Sequence, residues 1–451
     1  MIAEVHYTDD HLIAMLEGGD EQAIARNQHL ASCATCRQSL DEYRSIVRVL
    51  ADEAPWDRSE LKDEPDPSTV ATLRAFATSM QREDEEAETY VAALLEGARE
   101  TWMPRLRAHP EWRTAGVVRK LAAASYPALD KMPPDAVEIT NLAIEIAEHL
   151  VPGAYVSDTV ARLRGAAWRE RAYALFFVGR FHESLAACDR ADAAFSECVV
   201  DEYDRARVAV IRALSLGPFD RLAEAASLAT AAIKTFSGYA DEARFVSASI
   251  SAVHVQFKAR DYKGALASLL RLSDGVGQHG DESLRALIAA NLGFCYRELG
   301  NSEAALAQYA LAASIHDANK SDSESARVRW NIAGLLTALG RTDEALAMFA
   351  VVRTEFDRLS MESEYVIAGL EVAELLLLQN RFEVAESVCR EISARIEIAG
   401  LSNTSRALAA VGFLQEAMRS RRATVKLVRH VHDYVRRLPE EPNLLFAPPL
   451  L

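Results

Sequence analysis

The chain has 451 residues, a net charge of −16 and half its residues apolar, with only 20 Gly and 14 Pro. That length calls for more than one folding unit, and the apolar content excludes a mostly disordered chain. An acidic balance argues against direct nucleic-acid binding and suits a partner with a basic face. Ala, Leu, Glu and Arg dominate, which favours helix throughout. No apolar run approaches the roughly 20 residues that span a bilayer, and the opening MIAEVHYTDDH lacks a basic-then-apolar leader. A cytoplasmic protein with no membrane association is therefore expected, and in a reducing compartment a close cysteine pair points to metal rather than to a disulfide.

Residues 1–50 carry the main chemical motif. His29, Cys33 and Cys36 are spaced H-x3-C-x2-C. Two thiolates across a two-residue gap form a knuckle that grips a tetrahedral ion, and a His one helical turn earlier presents its imidazole beside them. Leu40, Tyr43, Ile46, Val47 and Leu50 come next at helical spacing, an apolar stripe for the segment's own small core or for a partner. LIAMLEGGD (12–20) followed by HLASCATC (29–36) resembles the anti-sigma-factor zinc-finger family. The resemblance implies a structural zinc held by His29, Cys33, Cys36 and a fourth ligand, His6, with His11 as the competitor inside the first helix. It also implies that the stripe from Leu40 to Leu50 packs on a sigma-type factor, although Met15 and Glu17 depart from the family pattern.

Residues 51–69, ADEAPWDRSELKDEPDPST, read as an acidic, proline-containing linker. Residues 70–110 turn helical again, and Trp102 and Trp112 are placed to seal the junction with the C-terminal array.

From 111 to 437 the chain repeats itself. NLGFCYRELGNSEAALAQYALA (291–312) and NIAGLLTALGRTDEALAMFAVV (331–352) align at an offset of 40. A small residue recurs at Ser184, Ala225, Ala265, Ala305, Ala345 and Ala385, and the series closes at Val425. Gly179, Gly300, Gly340 and Asn380 stand in the turns before it, where a left-handed residue ends a helix. This pattern resembles the tetratricopeptide repeat, a helix-turn-helix unit with Leu-Gly before the turn and Ala after it. The fold expected is all-α: a right-handed solenoid of helical hairpins behind a small zinc-binding helical domain. The period near 40 exceeds the family's roughly 34, which requires longer helices or longer loops between repeats. The family implies a peptide or protein in the groove. His254, Gln256, Asn291, Tyr296, Arg329 and Asn331 interrupt the apolar rhythm as candidates for the concave face. Asn291 and Asn331 share one register position, suited either to holding a ligand's backbone or to satisfying neighbouring groups. The basic last repeat caps the stack, and residues 438–451 form a tail.

Phosphate-binding loops, nucleophile elbows and H-E-x-x-H motifs are missing, so no catalysis is expected. Cys188, Cys198, Cys295 and Cys389 fall at apolar positions of the repeats, as buried small hydrophobes. The whole reads as a regulatory interaction protein, an anti-sigma-like zinc domain controlled by a ligand-binding solenoid. The alternative is a solenoid adaptor in a signalling or defence complex, with the zinc knuckle as a docking or stapling element.

Overall fold

The computed structural model describes residues 28–33, 36–37, 40–41, 44, 67–150, 155–276, 281–399, 404–441 and 443–449. It divides into two compact units, Met1–Ser79 and Met80–Leu451. All regular structure among the described residues is helical, and none of these helices is long and apolar enough to cross a membrane.

In the first unit, α1 (Gln28–Ser32) carries His29. Helix α2 (Pro67–Leu94) starts within the span read as linker, with proline at its first position, where the missing N–H costs nothing; its residues from Met80 onward belong to the second unit.

In the second unit, α3 (Trp102–Ala108) is followed by the pair α4 (Ala115–Lys131) and α5 (Pro133–Glu148). Six hairpins then run in order. They are α6 (Ser157–Phe177) with α7 (Phe181–Phe195), and α8 (Glu202–Leu216) with α9 (Leu222–Gly238). Next come α10 (Glu242–Lys258) with α11 (Tyr262–Val276), and α12 (Glu282–Glu298) with α13 (Ser302–Ala318). The last two are α14 (Asp322–Ala338) with α15 (Thr342–Arg358), and α16 (Glu362–Leu378) with α17 (Phe382–Ala399). Helices α18 (Thr404–Arg419) and α19 (Val425–Arg437) close the stack. From α4 onward each helix packs on the next, giving the expected solenoid.

The 40-residue period resolves into helix length. Helices α12 to α16 each contain 17 residues, and three-residue turns such as Leu299–Asn301 and Asn319–Ser321 join them. The turns are closed by local hydrogen bonds. Asn301 N donates to Tyr296 O at 2.8 Å and Gly300 N to Arg297 O at 3.0 Å, the paired bonds of a Schellman cap. Between hairpins the same bonds recur around Lys320 and Ser360, which adopt φ 57° and 52° without being glycine. Asn301 and Asp241 then cap the next helix with their side chains.

Packing explains the small residue. Ser184, Ala225, Ala265, Ala305, Ala345 and Ala385 are all fully buried, each the fourth residue of its helix. Val425 departs from the series: it is only half-buried and opens α19, and Val428 takes the fourth position instead. The added residues of the Ser420–Thr424 connection shift the register. Where a second helix carries a large buried side chain, a glycine of the first helix makes room, as Gly165 does under Phe195, Gly293 under Tyr309 and Gly369 under Ile392. Trp102 and Trp112 are buried in one cluster with α2, α4, α5 and α6.

Candidate functional site

Two places in the chain gather chemistry, one in each unit. In the first, the backbone N–H of Cys33 donates to His29 O at 2.7 Å, so one helical turn sets the His beside the cysteine knuckle. The three ligand atoms of His29, Cys33 and Cys36 lie within 4.8 Å of one another, and His29 Nε2 is 3.3 Å from Cys36 Sγ. Both sulfurs are buried and the imidazole is half-buried. Two soft thiols and an imidazole converging at this spacing form a group that could hold a metal ion. His6 and His11 lie outside the described residues, as do Tyr43, Ile46, Val47 and Leu50. Leu40 is described and is buried, 2% exposed.

The second place is the interior of the solenoid. The superhelix brings its beginning back onto its middle. Lys131, the last residue of α4, pairs with Asp322 at the start of α14 (3.2 Å) and donates to Lys320 O (2.5 Å). Beside it Ser323 Oγ donates to Asp130 at 3.4 Å. Deeper in, Arg327 of α14 reaches across to the α6–α7 turn. It donates to Phe177 O at 3.1 Å and its guanidinium lies 3.9 Å from the Phe177 ring centre. Glu324 and Glu364 hold the same guanidinium at 3.0 and 2.7 Å, and together they keep its pKa above the ordinary arginine value despite burial.

The α6–α7 turn and Arg327 divide the interior into two chambers. One, of about 1000 Å³, is bounded by Pro133 and Pro134, the ends of α8 and α10, Trp330, the start of α16, and Leu438–Glu440 beyond α19. The other, of about 990 Å³, is bounded by Tyr126 and Asp130 of α4 and by residues of the first helices α6, α8, α10, α12 and α14. Phe176, Phe177, Phe181, Leu214, His254 and Arg327 line both, so the chambers share an apolar wall with a few polar groups.

Charges of both signs line the second chamber: Arg169, Arg207 and Arg244 on successive first helices, and Asp130, Glu324 and Glu364 on α4, α14 and α16, with Arg327 paired to both glutamates. Arg169 is held by Glu170 and Asp204, each at 2.7 Å. Burial lowers the Arg207 pKa, and the charges of Arg169 and Arg244 lower it further. Arg207 Nε and Ser251 Oγ are buried at this wall without a hydrogen-bond partner among the described residues. Burial raises the pKa of Asp130, with Glu324 adding to it.

The candidates for the concave face are distributed unevenly. His254 lines both chambers; its Nε2 lies 3.0 Å from Asn291 Oδ1, and burial lowers its pKa. Asn291 sits behind it, buried, donating to Leu287 O at 2.8 Å. Arg329 pairs with Asp317 at 2.6 Å and with Ser325, away from the chambers. Gln256, Tyr296 and Asn331 are half-buried and border neither chamber. Sequence pattern does not single out Phe177, Arg207, Ser251 or Arg327, four residues of the interior. Their only signal is position on a first helix or at a hairpin turn. Cys188 and Cys389 are buried with thiols pushed up to about 12, and Cys295 to about 11, as suits inert core positions; Cys198 is only half-buried.

A family model for the tetratricopeptide repeat matches residues 255–353. The middle of the array is a tetratricopeptide-repeat region. The match runs from the end of α10 through most of α15, and it includes the Ala265, Ala305 and Ala345 positions. No curated protein sequence matches the chain. Among solved structures, apo RapI is 18% identical, with a TM-score of 0.43 over 61% of this chain and 99% of its own. A Rap protein complexed with Competence and Sporulation Factor is 12% identical, with a TM-score of 0.44 over 69% and 99%. A signal-transduction ATPase with a tetratricopeptide-repeat sensor, from Pyrococcus horikoshii, is 17% identical, with a TM-score of 0.47 over 81% of this chain and 53% of its own.

Proposed function

We propose that this chain is a cytoplasmic regulatory interaction protein in which a zinc-stapled N-terminal module sequesters a sigma-type transcription factor, and the solenoid interior takes a peptide or protein segment that governs its availability. The observation carrying the first half is the convergence of His29, Cys33 and Cys36 within 4.8 Å. With His6 as the fourth protein ligand the shell would close and make such a zinc structural, so that it would hold the knuckle and take no part in a reaction. The divided interior supports the second half. Its chambers are of ligand size and amphipathic, with charged groups of both signs, in a repeat array of a kind that presents long binding surfaces.

Removing both sulfurs with Cys33→Ser/Cys36→Ser should abolish the zinc content of purified protein. The Tyr43→Ala/Ile46→Ala variant should keep its zinc and fold but lose binding in pairwise assays against each sigma-type factor of the source organism. Retention of the factor by that variant would remove the anti-sigma reading. For the interior, panning a random hexapeptide display library on the chain should enrich sequences whose binding is lost with Arg207→Glu. Equal enrichment on that variant would remove the interior as a ligand site.

One observation favours the adaptor reading. Leu40, which opens the proposed partner-binding stripe, is already buried within the chain, as a stapling element requires. If Tyr43→Ala/Ile46→Ala retains its partner, that reading replaces the first.

A further inference from the structure

The first chamber is bounded on one side by the chain's own C-terminal segment. Beyond α19 the backbone runs through Leu438, Pro439 and Glu440, all of which border the chamber. His182, at the start of α7, has Nε2 at 3.1 Å from Glu440 O, a contact between residues 258 apart, so the Nε2–H form donates. The His182 ring also lies against Phe219, 4.5 Å between centres. The Glu440 carboxyl is half-buried, and burial raises its pKa; Lys258 from the end of α10 and Arg436 and Arg437 from α19 offset part of that, while Glu441 adds to it. After Glu440 the chain folds back along α19: Tyr434 OH donates to Leu444 O at 3.1 Å, and His430 Nε2 lies 2.8 Å from Ala447 O.

At Pro439 and Glu440 the contacts have the form of a bound peptide, whereas Leu438, Leu444 and Phe446 pack on the core of the last repeats. One backbone carbonyl is taken by an imidazole, and a proline lies between a buried leucine and a half-buried carboxylate. Leu438 anchors the segment in the α16–α18 core, whereas Pro439 and Glu440 remain half-buried. Isolated polar contacts at such exposure are weak. What keeps them made is the tether, which holds the segment at high effective concentration.

We infer that Leu438–Pro439–Glu440 is an internal ligand of the first chamber, and that the external partner this chamber takes is a protein segment of the same chemistry: an apolar residue, a proline and an acidic residue. The partner's carbonyl takes the place of Glu440 O at His182, and its carboxylate takes the place beside Lys258. This rests on the reading of the interior as a binding site. It adds that the first chamber is self-occupied, so a competing segment binds with its affinity reduced by the fraction of time the internal one is away.

The probe is a fluorescent synthetic peptide of residues 436–449, RRLPEEPNLLFAPP, titrated by anisotropy. The full chain should bind it weakly. A full chain carrying Pro439→Gly/Glu440→Ala, which leaves the core residue Leu438 in place, should bind it about tenfold or more tightly. Adding Lys258→Glu to that opened chain should abolish the gain. Circular dichroism on all three chains reports folding. Equal binding by closed and opened chains, binding by neither, or indifference to Lys258→Glu in folded protein would overturn the inference. The panning experiment on Arg207, in the other chamber, would be unaffected by that failure.

Discussion

Two substitutions of the same kind, in adjacent repeats, should change stability in opposite directions. Gly293 lies in α12 under the ring of Tyr309, which is fully buried. A Cβ at Gly293 would sit 2.6 Å from one ring carbon and 2.7 Å from the next. Such contacts do not occur between real atoms, and a ring enclosed on all sides has nowhere to go, so Gly293→Ala should cost roughly 1–3 kcal/mol in overpacking. Against this stands the relief of a mid-helix glycine, about 0.5–1 kcal/mol. The net expectation is a loss of about 1 kcal/mol, and at most about 2.5 kcal/mol. Gly334, in α14 one repeat later, meets nothing within 4 Å of an added Cβ. Gly334→Ala therefore receives only the helix term and should stabilise by about 0.5–1 kcal/mol. Urea unfolding followed by far-ultraviolet circular dichroism reads both, comparing midpoints because a repeat array need not unfold in one step. Tyr309→Leu should recover part of the loss in the Gly293→Ala background. An unchanged or raised midpoint for Gly293→Ala, or a lowered one for Gly334→Ala, would refute the pairing of glycine with large side chain as the packing rule.

His254 and His316 are both held neutral by burial, with pKa values below the ordinary one. Below the unfolded value of about 6.5 the unfolded chain takes up protons that the folded chain refuses. Stability should therefore fall as pH drops from 7.5 to 5, and His254→Asn/His316→Gln should flatten that slope in a melting series; an unchanged slope would assign the acid loss to other groups. The closure between α4 and α14 rests on partly exposed polar contacts of Lys131, Asp322 and Ser323, each worth about 1 kcal/mol or less. Lys131→Glu should thus leave the melting temperature nearly unchanged yet raise the radius of gyration in small-angle scattering, most clearly at low salt. An unchanged radius would mean that Arg327 alone holds the ring closed.

Much of this architecture is legible in the residues themselves because it is local. The period of 40, the left-handed positions at Gly179, Gly300, Gly340 and Asn380, and the buried small residue from Ser184 to Ala385 arise from hairpins that each repeat the same short-range geometry. The His29–Cys33–Cys36 group is legible for the same reason, since one helical turn and a two-residue gap set its distances. Tertiary structure alone decides what depends on rotation accumulated over many repeats. The pairing of Lys131 with Asp322, the reach of Arg327 to Phe177 and the meeting of His182 with Glu440 join residues 150 or more apart. A small change in twist per repeat would separate each of them without altering any local pattern. The same holds for the candidate groove residues: spacing marked His254 and Asn291 alike, and only the curvature of the stack turned one toward the chambers and left the other behind it, bonded to its own helix.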